Sequence, residues 1–211
     1  IYDRVKVPRK DALVLGPGRG FEVAQGRLGP GRIHHCMRTI GAAEVALRTM
    51  IARSRDPART AFGTLLSSHE SIRHQIAEGR LELTKCRQLC YLAACIADDR
   101  GFTAAKTYIS MIKVAAPRMA LKIIDDSIQI HGAHGVCQDS KLADLYTHIR
   151  TLRLADGPDV VHLNTISKAE FKHAKKRANT ARGKDLHEDI LDDLTRLWSG
   201  WNPNLEKSAH L

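Results

Sequence analysis

The stretch LSSHESIRHQIAEGRLELTKCRQLCYLAACIAD, residues 66–98, decides the fold class of this chain. Its apolar and small residues recur at steps of three and four, which is the period of one face of an α-helix. This stripe consists of Ile72, Ile76, Gly79, Leu83, Cys86, Cys90 and Ala94. The spacing therefore predicts one long amphipathic helix over 66–98, which the turn residues 98–101 bring to an end.

The same period predicts four further helices, over 31–54, 103–131, 140–154 and 157–178. Pro117 is expected to bend the third of these five helices, since proline cannot donate a helical hydrogen bond. Long helices joined by short loops are typical of bundles. The sequence thus predicts an all-α, antiparallel up-and-down helical bundle over 21–180, with no strand after residue 20.

The two ends of the chain differ from this central block. Residues 1–8, IYDRVKVP, alternate in part and predict one strand that Pro8 ends, although a lone strand is not stable by itself. In the C-terminal extension, 181–211, an apolar face lies opposite an acidic one and predicts an amphipathic helix. That apolar face consists of Leu186, Ile190, Leu194, Leu197 and Trp201. We expect this helix to dock on the bundle; a partner-binding helix is the alternative.

The composition excludes several classes of function. Of 211 residues, 33 are basic and 23 acidic, which leaves a net charge of +10 and an attraction for anions. Few aromatic residues adjoin the basic clusters, so nucleic-acid binding is not predicted. No apolar run reaches the ~18–20 residues of a membrane span. The five cysteines and eleven histidines show no spacing that would complete a metal site, so no metal is predicted.

A glycine-rich segment precedes the first predicted helix. Residues 16–31, GPGRGFEVAQGRLGPG, do not match a dinucleotide-binding fingerprint, because Phe21 stands where the last glycine of G-x-G-x-x-G should be. We interpret the segment as a linker turn. Arg27, Arg32 and Arg38 lie in or near it, and fork-shaped guanidinium groups favour a phosphorylated small molecule over a duplex.

Several motifs, in order along residues 1–180, resemble the acyl-CoA dehydrogenase family of flavoproteins. Residues 3–8 resemble the last strand of that family's middle β-domain, and residues 18–21 resemble its entry into the helical domain. RTAFGTLL (59–66) followed by His69 is similar to the family's R-x-T-F-G-x-x-L motif, and QIHGAHG (129–135) to its Q-I-x-G-G-x-G segment. Asp156 stands where most members carry a catalytic glutamate. The sequences of residues 26–38 and 152–162 resemble those of members that use an aspartate base.

The resemblance implies α,β-dehydrogenation of an acyl-CoA thioester. A carboxylate takes the α-proton while the β-hydrogen leaves as hydride to FAD, which gives a trans-2-enoyl-CoA. Asp156 would be the base, and its backbone amide would polarise the thioester carbonyl. Helix capping is the alternative explanation for an aspartate before Pro158. Asp159 could raise the pKa of the base as a like charge, but we assign it to the dipole of the following helix.

The resemblance also implies which residues bind substrate and cofactor. Arg32 would bind the adenine and 3′-phosphate of CoA. Arg59 and Phe62 would contact the FAD of a neighbouring subunit. The remaining predicted cofactor contacts are Gln129, Ile130, His131, Gly132, Ala133, Gly157 and Pro158. Ala61 and Ala133 depart from the family pattern, where a threonine and a glycine stand.

The resemblance implies a homodimer or tetramer with electron-transfer flavoprotein as electron acceptor. Two alternatives stay open, an acyl-CoA oxidase of the same fold and a non-catalytic helical fragment that binds a cofactor or partner. The family's other domains are not in these 211 residues, so we expect the chain to be about half of an enzyme. The ending Ala209-His210-Leu211 resembles a peroxisomal signal. Peroxisome is therefore favoured over the mitochondrial matrix, with cytoplasm expected in a bacterium.

Overall fold

A long central helix organises the protein in a computed structural model that describes residues 1–179 and 185–201. The elements are α1 (Arg9–Ala12), α2 (Gly20–Arg55), β1 (Thr60–Ala61), β2 (Thr64–Leu65), a 3-10 turn (Leu66–Ser68), α3 (Glu70–Ala104), α4 (Lys106–His131), α5 (Ala133–Val136), α6 (Lys141–Thr151), α7 (Asp159–Asn179) and α8 (Leu186–Trp201). Helix α4 packs against α2, α3, α6 and α7. The predicted all-α bundle is confirmed.

The stripe on α3 forms part of the core. Leu83, Cys86 and Cys90 are buried in the cluster that joins α2, α3 and α4. Gly79 lets the helices approach closely, because a Cβ added there would lie 3.2 Å from the Leu47 side chain and 3.4 Å from that of Ile123. The helical period of 66–98 thus encodes a packing face, as predicted from the sequence.

The strand predicted over residues 1–8 is wrong for this structure. Residues 1–7 are irregular, and Pro8 precedes the single turn of α1. A strand needs a neighbouring strand to complete its hydrogen bonds, and the described residues provide none beside this segment.

Helix α2 begins at Gly20 rather than near residue 31, so the linker turn predicted for 16–31 is largely wrong. The helix continues past Pro30, and Gly29 packs so closely on Phe102 that an added Cβ would lie 3.3 Å from the ring. At the N-terminus, Arg19 Nε donates to Glu22 Oε2 at 2.7 Å. Packing against Phe102 favours the helix at Gly29, where the helix propensity of the residue itself is weak.

A short hairpin, which the sequence analysis did not expect, joins α2 to α3. Thr60 pairs with Leu65 and Ala61 with Thr64. The two residues at its tip both have positive φ, 52° at Phe62 and 77° at Gly63, which is the backbone of a type I′ turn. The hairpin was missed because two residues per strand give no alternating pattern.

The helix breaks follow the predicted breakers only in part. Helix α3 continues to Ala104 with a kink at Gly101, where φ is 80°. Helix α4 runs through Pro117 as one element. Helix α6 ends at Thr151, three residues before the predicted end, which leaves residues 152–158 as a loop before α7.

The C-terminal amphipathic helix is present as α8 and docks on the bundle. Asp185 and Glu188 form a reciprocal capping box, with N···O distances of 2.7 and 2.8 Å. The Tyr108 hydroxyl on α4 donates to Asp193 Oδ2 at 2.5 Å, and Leu197 packs against the core. The domain boundaries 1–20, 21–180 and 181–211 stay a prediction. Among the described helices, none is both long and apolar enough to cross a membrane.

Candidate active site

Asp156 lies in the loop between α6 and α7, residues 152–158, which we call the base loop after the role predicted for Asp156. Its backbone is in the left-handed region, with φ at 57°. Two side chains bind its carbonyl oxygen: Arg32 Nε on α2 donates at 2.9 Å, and His162 Nε2 on α7 lies 3.2 Å away. A left-handed non-glycine residue persists only where surrounding contacts enforce it. Arg32 and His162 therefore fix the backbone from which the Asp156 side chain projects.

The Asp156 carboxylate lies against a histidine that the sequence analysis did not single out. His35 Nε2 is 2.8 Å from Asp156 Oδ2, and the two side chains are 28% and 20% exposed. Helix α7 starts at Asp159, so Asp156 is two residues before the N-cap position. Helix capping therefore does not account for the aspartate at 156.

Asp159 has a different environment from Asp156. It lies in the first turn of α7 and is buried. Its Oδ2 accepts hydrogen bonds from Arg118 Nε at 3.1 Å and Arg153 Nε at 2.9 Å. The two guanidinium groups and the start of α7 make Asp159 an anchor for the end of the base loop, which agrees with its assignment to the helix dipole.

A buried lysine holds the other end of the base loop. Lys113 on α4 is 1% exposed, and its Nζ donates to the carbonyl oxygen of Leu152. Burial lowers the pKa of Lys113, because the charged ammonium is removed from water. Contacts from α2, α4 and α7 thus fix the loop along its length.

Gly157 is the residue that lets the loop approach α7. Its φ is 101°, and a Cβ added there would lie 2.9 Å from His162 Nε2. The His162 ring also lies 3.4 Å from the Ser110 hydroxyl through Nδ1. Burial lowers the pKa of His162, while the hydrogen bond to Asp156 opposes this shift. A side chain at 157 would displace the histidine that binds the Asp156 carbonyl.

The predicted cofactor residues Arg59 and Phe62 lie far from the base loop. Phe62, at the hairpin tip, is 99% exposed, and its ring lies 6.2 Å from that of His69 in an edge-to-face arrangement. The Arg59 side chain is 54% exposed and lies 3.9 Å from Asp56 Oδ2. Both side chains are therefore accessible at the surface of this chain.

The predicted segment 129–133 lies at the same end of the bundle as the hairpin. Arg53 Nη2, near the end of α2, is 3.5 Å from the His131 carbonyl oxygen. Gln129, Gly132 and Ala133 are exposed, whereas the His131 ring is buried and its Nδ1 donates to the Ser127 carbonyl at 2.7 Å. The His131 side chain therefore faces the chain itself, and the cofactor contacts of this segment stay a prediction.

The structure thus brings together one group of predicted residues and separates the other. Arg32, Asp156, Gly157 and Pro158 cluster at the base loop, while the hairpin and 129–133 lie near the C-terminus of α2. The 18 positions from His35 to Arg53 span about 27 Å of helix. Arg32 was predicted to bind CoA, a role that stays a prediction, and the structure adds that its Nε contacts the chain's own backbone.

His35 could have been found from the helical period. It follows Arg32 by three positions on α2, so both side chains lie on one face. Lys113 is harder to find from sequence, because it lies on α4, far along the chain from residue 156, whereas His162 is only six positions after Asp156. Together these groups define a carboxylate, partly shielded from water, on a constrained backbone at one end of a helical bundle.

The helical domain described above matches a known class of domain. The family model described as Acyl-CoA dehydrogenase, C-terminal domain, matches residues 18–171. The human acyl-CoA dehydrogenase family member 11 is 52% identical over 176 residues, which cover 83% of this chain and 22% of that protein. The chain therefore belongs to the acyl-CoA dehydrogenase family.

Solved structures agree with this membership. A Mycobacterium abscessus chain assigned to the acyl-CoA dehydrogenases superposes with a TM-score of 0.75 at 48% identity, covering 81% of this chain and 41% of that one. Butyryl-CoA dehydrogenase from Megasphaera elsdenii gives a TM-score of 0.66 at 26% identity, covering 72% of this chain and 39% of that one. The chain spans less than half the length of these relatives.

Proposed function

We propose that this chain supplies the base, and part of the cofactor contacts, of an FAD-dependent dehydrogenase that converts acyl-CoA thioesters to trans-2-enoyl-CoA. The observation that carries the proposal is the Asp156 carboxylate, partly buried and bound through Oδ2 by His35. Membership of the acyl-CoA dehydrogenase family supports the reaction class.

The chain's own residues account for the proton transfer. Asp156 removes the α-proton of the thioester, and Arg32 and His162 hold its backbone while this happens. The backbone amide of Asp156 is proposed to donate to the thioester carbonyl and to stabilise the negative charge that develops there. FAD, when bound, supplies the acceptor for the β-hydride.

The described residues fit such a cofactor at the other end of the bundle. Arg59 offers an accessible guanidinium group, which suits a pyrophosphate, and the exposed Phe62 ring offers a flat apolar surface. They follow the end of α2, and Arg53 near that end lies about 27 Å along the helix from His35, which contacts Asp156. That separation supports the expectation that they serve the FAD of a neighbouring subunit in a homodimer or tetramer.

The decisive experiment measures flavin bleaching after acyl-CoA is added anaerobically to the FAD-loaded natural polypeptide that contains this sequence. Asp156→Asn keeps the shape of the side chain but removes its basicity, so we expect bleaching about 10²–10⁴-fold slower. Asp139→Asn, at an exposed loop aspartate, is the matched control and should behave as the wild type. Undiminished bleaching in Asp156→Asn would contradict the proposal.

The electron acceptor separates a dehydrogenase from an oxidase. We propose electron-transfer flavoprotein as the acceptor, so the reduced enzyme should be reoxidised by that protein and release little peroxide in air. Stoichiometric peroxide release would indicate the oxidase. A full-length preparation that binds no flavin would favour the non-catalytic alternative.

We also propose a peroxisomal location for a eukaryotic protein, with the mitochondrial matrix as the alternative and the cytoplasm for a bacterial one. The proposal depends on Ala209-His210-Leu211, which lies outside the described residues. Deletion of this tripeptide from a tagged full-length protein should relocate it. An unchanged distribution would contradict the proposal.

A further inference from the structure

Two residues of α2, one turn apart, meet Asp156 from the same helix face. Arg32 binds the Asp156 carbonyl oxygen through Nε at 2.9 Å, and His35 binds the carboxylate through Nε2 at 2.8 Å. The positions i and i+3 place both side chains on one side of the helix. Helix α2 therefore holds both the backbone and the side chain of this aspartate.

A third α2 residue determines which nitrogen of His35 carries the proton. Arg38 Nη2 lies 2.6 Å from His35 Nδ1. A guanidinium group has only donors, so Nδ1 must accept, and the proton of neutral His35 must lie on Nε2. Nε2–H then donates to Asp156 Oδ2. The contacts run in one direction, from Arg38 through His35 to Asp156.

The surroundings of His35 favour its neutral form. Its pKa is lowered by burial; Asp156 opposes this shift, whereas Arg38, Lys113 and His34 add to it. These charged and titratable groups face the ring from α2, from α4 and from the base loop. Protonation of Nδ1 would also place an N–H against the Arg38 donor, which has no acceptor to offer.

We propose that His35, oriented by Arg38, is a positioning residue that fixes the Asp156 carboxylate and leaves Oδ1 as the oxygen that accepts the substrate proton. The proposal rests on the proposed function. In the step, the α-carbon–hydrogen bond breaks and an O–H bond forms at Oδ1. The electron pair of the α-carbon–hydrogen bond forms the α,β double bond while the β-carbon–hydrogen bond breaks and its hydrogen leaves as hydride to FAD. The proton of His35 stays on Nε2.

This arrangement has a physical reason in the short side chain of aspartate. A misplacement of ~1 Å can lower the rate of an enzyme ~100-fold. Only two side-chain torsions separate the Asp156 carboxylate from a left-handed backbone, so a donor on one oxygen orients the other. A donor that is neutral orients the carboxylate and removes less of its basicity than a cation would.

The test compares variants of the FAD-loaded holoenzyme by the rate of anaerobic flavin reduction and by the affinity for acyl-CoA. His35→Leu removes the donor and should slow reduction about 10–100-fold, with the affinity little changed. His35→Gln keeps an N–H near the position of Nε2 and should recover most of the rate. His74→Leu, at an exposed histidine of α3, is the control and should match the wild type.

A pH profile separates positioning from simple packing. Arg38→Leu removes a group that lowers the His35 pKa, so His35 should become protonated at a higher pH than in the wild type. A protonated His35 makes Asp156 a weaker base, and the acid limb of the rate profile should move to higher pH. His35→Gln should lose the part of the acid limb that His35 contributes. These readouts also decide the question if His35→Leu fails to fold.

The outcomes distinguish this proposal from the function on which it rests. Slow reduction in Asp156→Asn with a wild-type rate in His35→Leu would overturn the positioning role alone. A rate in His35→Gln as low as in His35→Leu, or an acid limb unmoved by Arg38→Leu, would also overturn it. Full reduction in Asp156→Asn would overturn the proposed function, and the role of His35 with it.

Discussion

The base loop and the hairpin contain the same local backbone in opposite surroundings. In each, a non-glycine residue with positive φ precedes a glycine with positive φ: Asp156 at 57° and Gly157 at 101°, Phe62 at 52° and Gly63 at 77°. Arg32 and His162 bind the Asp156 carbonyl, and its side chain is 20% exposed. Phe62 is 99% exposed.

The difference shows that contacts within one chain enclose the base loop, whereas they leave the tip of the hairpin exposed. Strained backbone costs about 1–3 kcal/mol and persists where other contacts enforce it. At the base loop these contacts come from α2, α4 and α7. At the hairpin they come from the pairing of β1 with β2 and from His69, whose Nε2 lies 3.2 Å from the Ala61 carbonyl oxygen. These contacts thus stabilise the two strands of the hairpin, while its tip is exposed.

The largest effect that we expect to distinguish the base loop from the hairpin is on the rate of flavin reduction. Arg32→Leu should slow flavin reduction about 100-fold, because the backbone of Asp156, the proposed base, loses a hydrogen bond and shifts. A role in CoA binding alone would instead weaken the affinity at an unchanged limiting rate, so saturation kinetics of flavin reduction distinguish the two. Arg48→Leu, at an exposed arginine of the same helix, is the control.

The second prediction compares the two glycines. Gly157→Ala adds a Cβ at 2.9 Å from His162 Nε2, whereas a Cβ at Gly63 meets no described atom within 4 Å. Both substitutions strain a positive φ, but only the first also displaces a neighbour. We expect Gly157→Ala to lower the free energy of unfolding by about 1–3 kcal/mol and Gly63→Ala by less. Denaturant titrations of both variants measure this, and equal losses would contradict it.

A third prediction concerns acid stability at both ends of the bundle. Burial lowers the pKa of His162 near the base loop and of His131 near the hairpin. A lowered pKa means that the unfolded state binds protons first, so stability is full above the unfolded value of about 6.5 and is lost as pH falls through the lower folded values.

The measurement is the melting temperature as a function of pH. His162→Gln should flatten the decline below pH 6.5 relative to the wild type, apart from any constant loss of stability. His74→Gln, at an exposed histidine of α3, should leave the decline unchanged. A decline that is as steep in His162→Gln as in the wild type would count against the role of this ring.

The smallest expected effect on stability is at the hairpin tip. Because Phe62 is almost fully exposed, Phe62→Ser should change the free energy of unfolding by no more than about 0.5 kcal/mol. If the ring contacts FAD in the assembled enzyme, the same variant should lose cofactor more readily in dialysis. A marked loss of stability without any change in flavin retention would contradict the view that the Phe62 ring serves cofactor binding rather than folding.

Much of the helical architecture could be predicted because it is local. The apolar residues of α3 recur every three or four positions, and the helix-breaking residues near Gly101 lie close to them in the sequence. The start of α2 at Gly20 could not be predicted in this way, because its first turns are rich in glycine, which has a weak helix propensity. The hairpin was missed for a similar reason, since only four residues form its ladder.

The candidate site also has a part that local sequence predicts and a part that depends on tertiary contacts. The sequence by itself determined the bundle, the family resemblance and the position of Asp156, since each depends on the order of residues along the chain. Only the tertiary structure decided that His35, Arg32 and His162 meet that aspartate and that Lys113 holds its loop. These contacts join residues up to 124 positions apart in the sequence. Such residues come into contact only when α2, α4 and α7 pack on a common core.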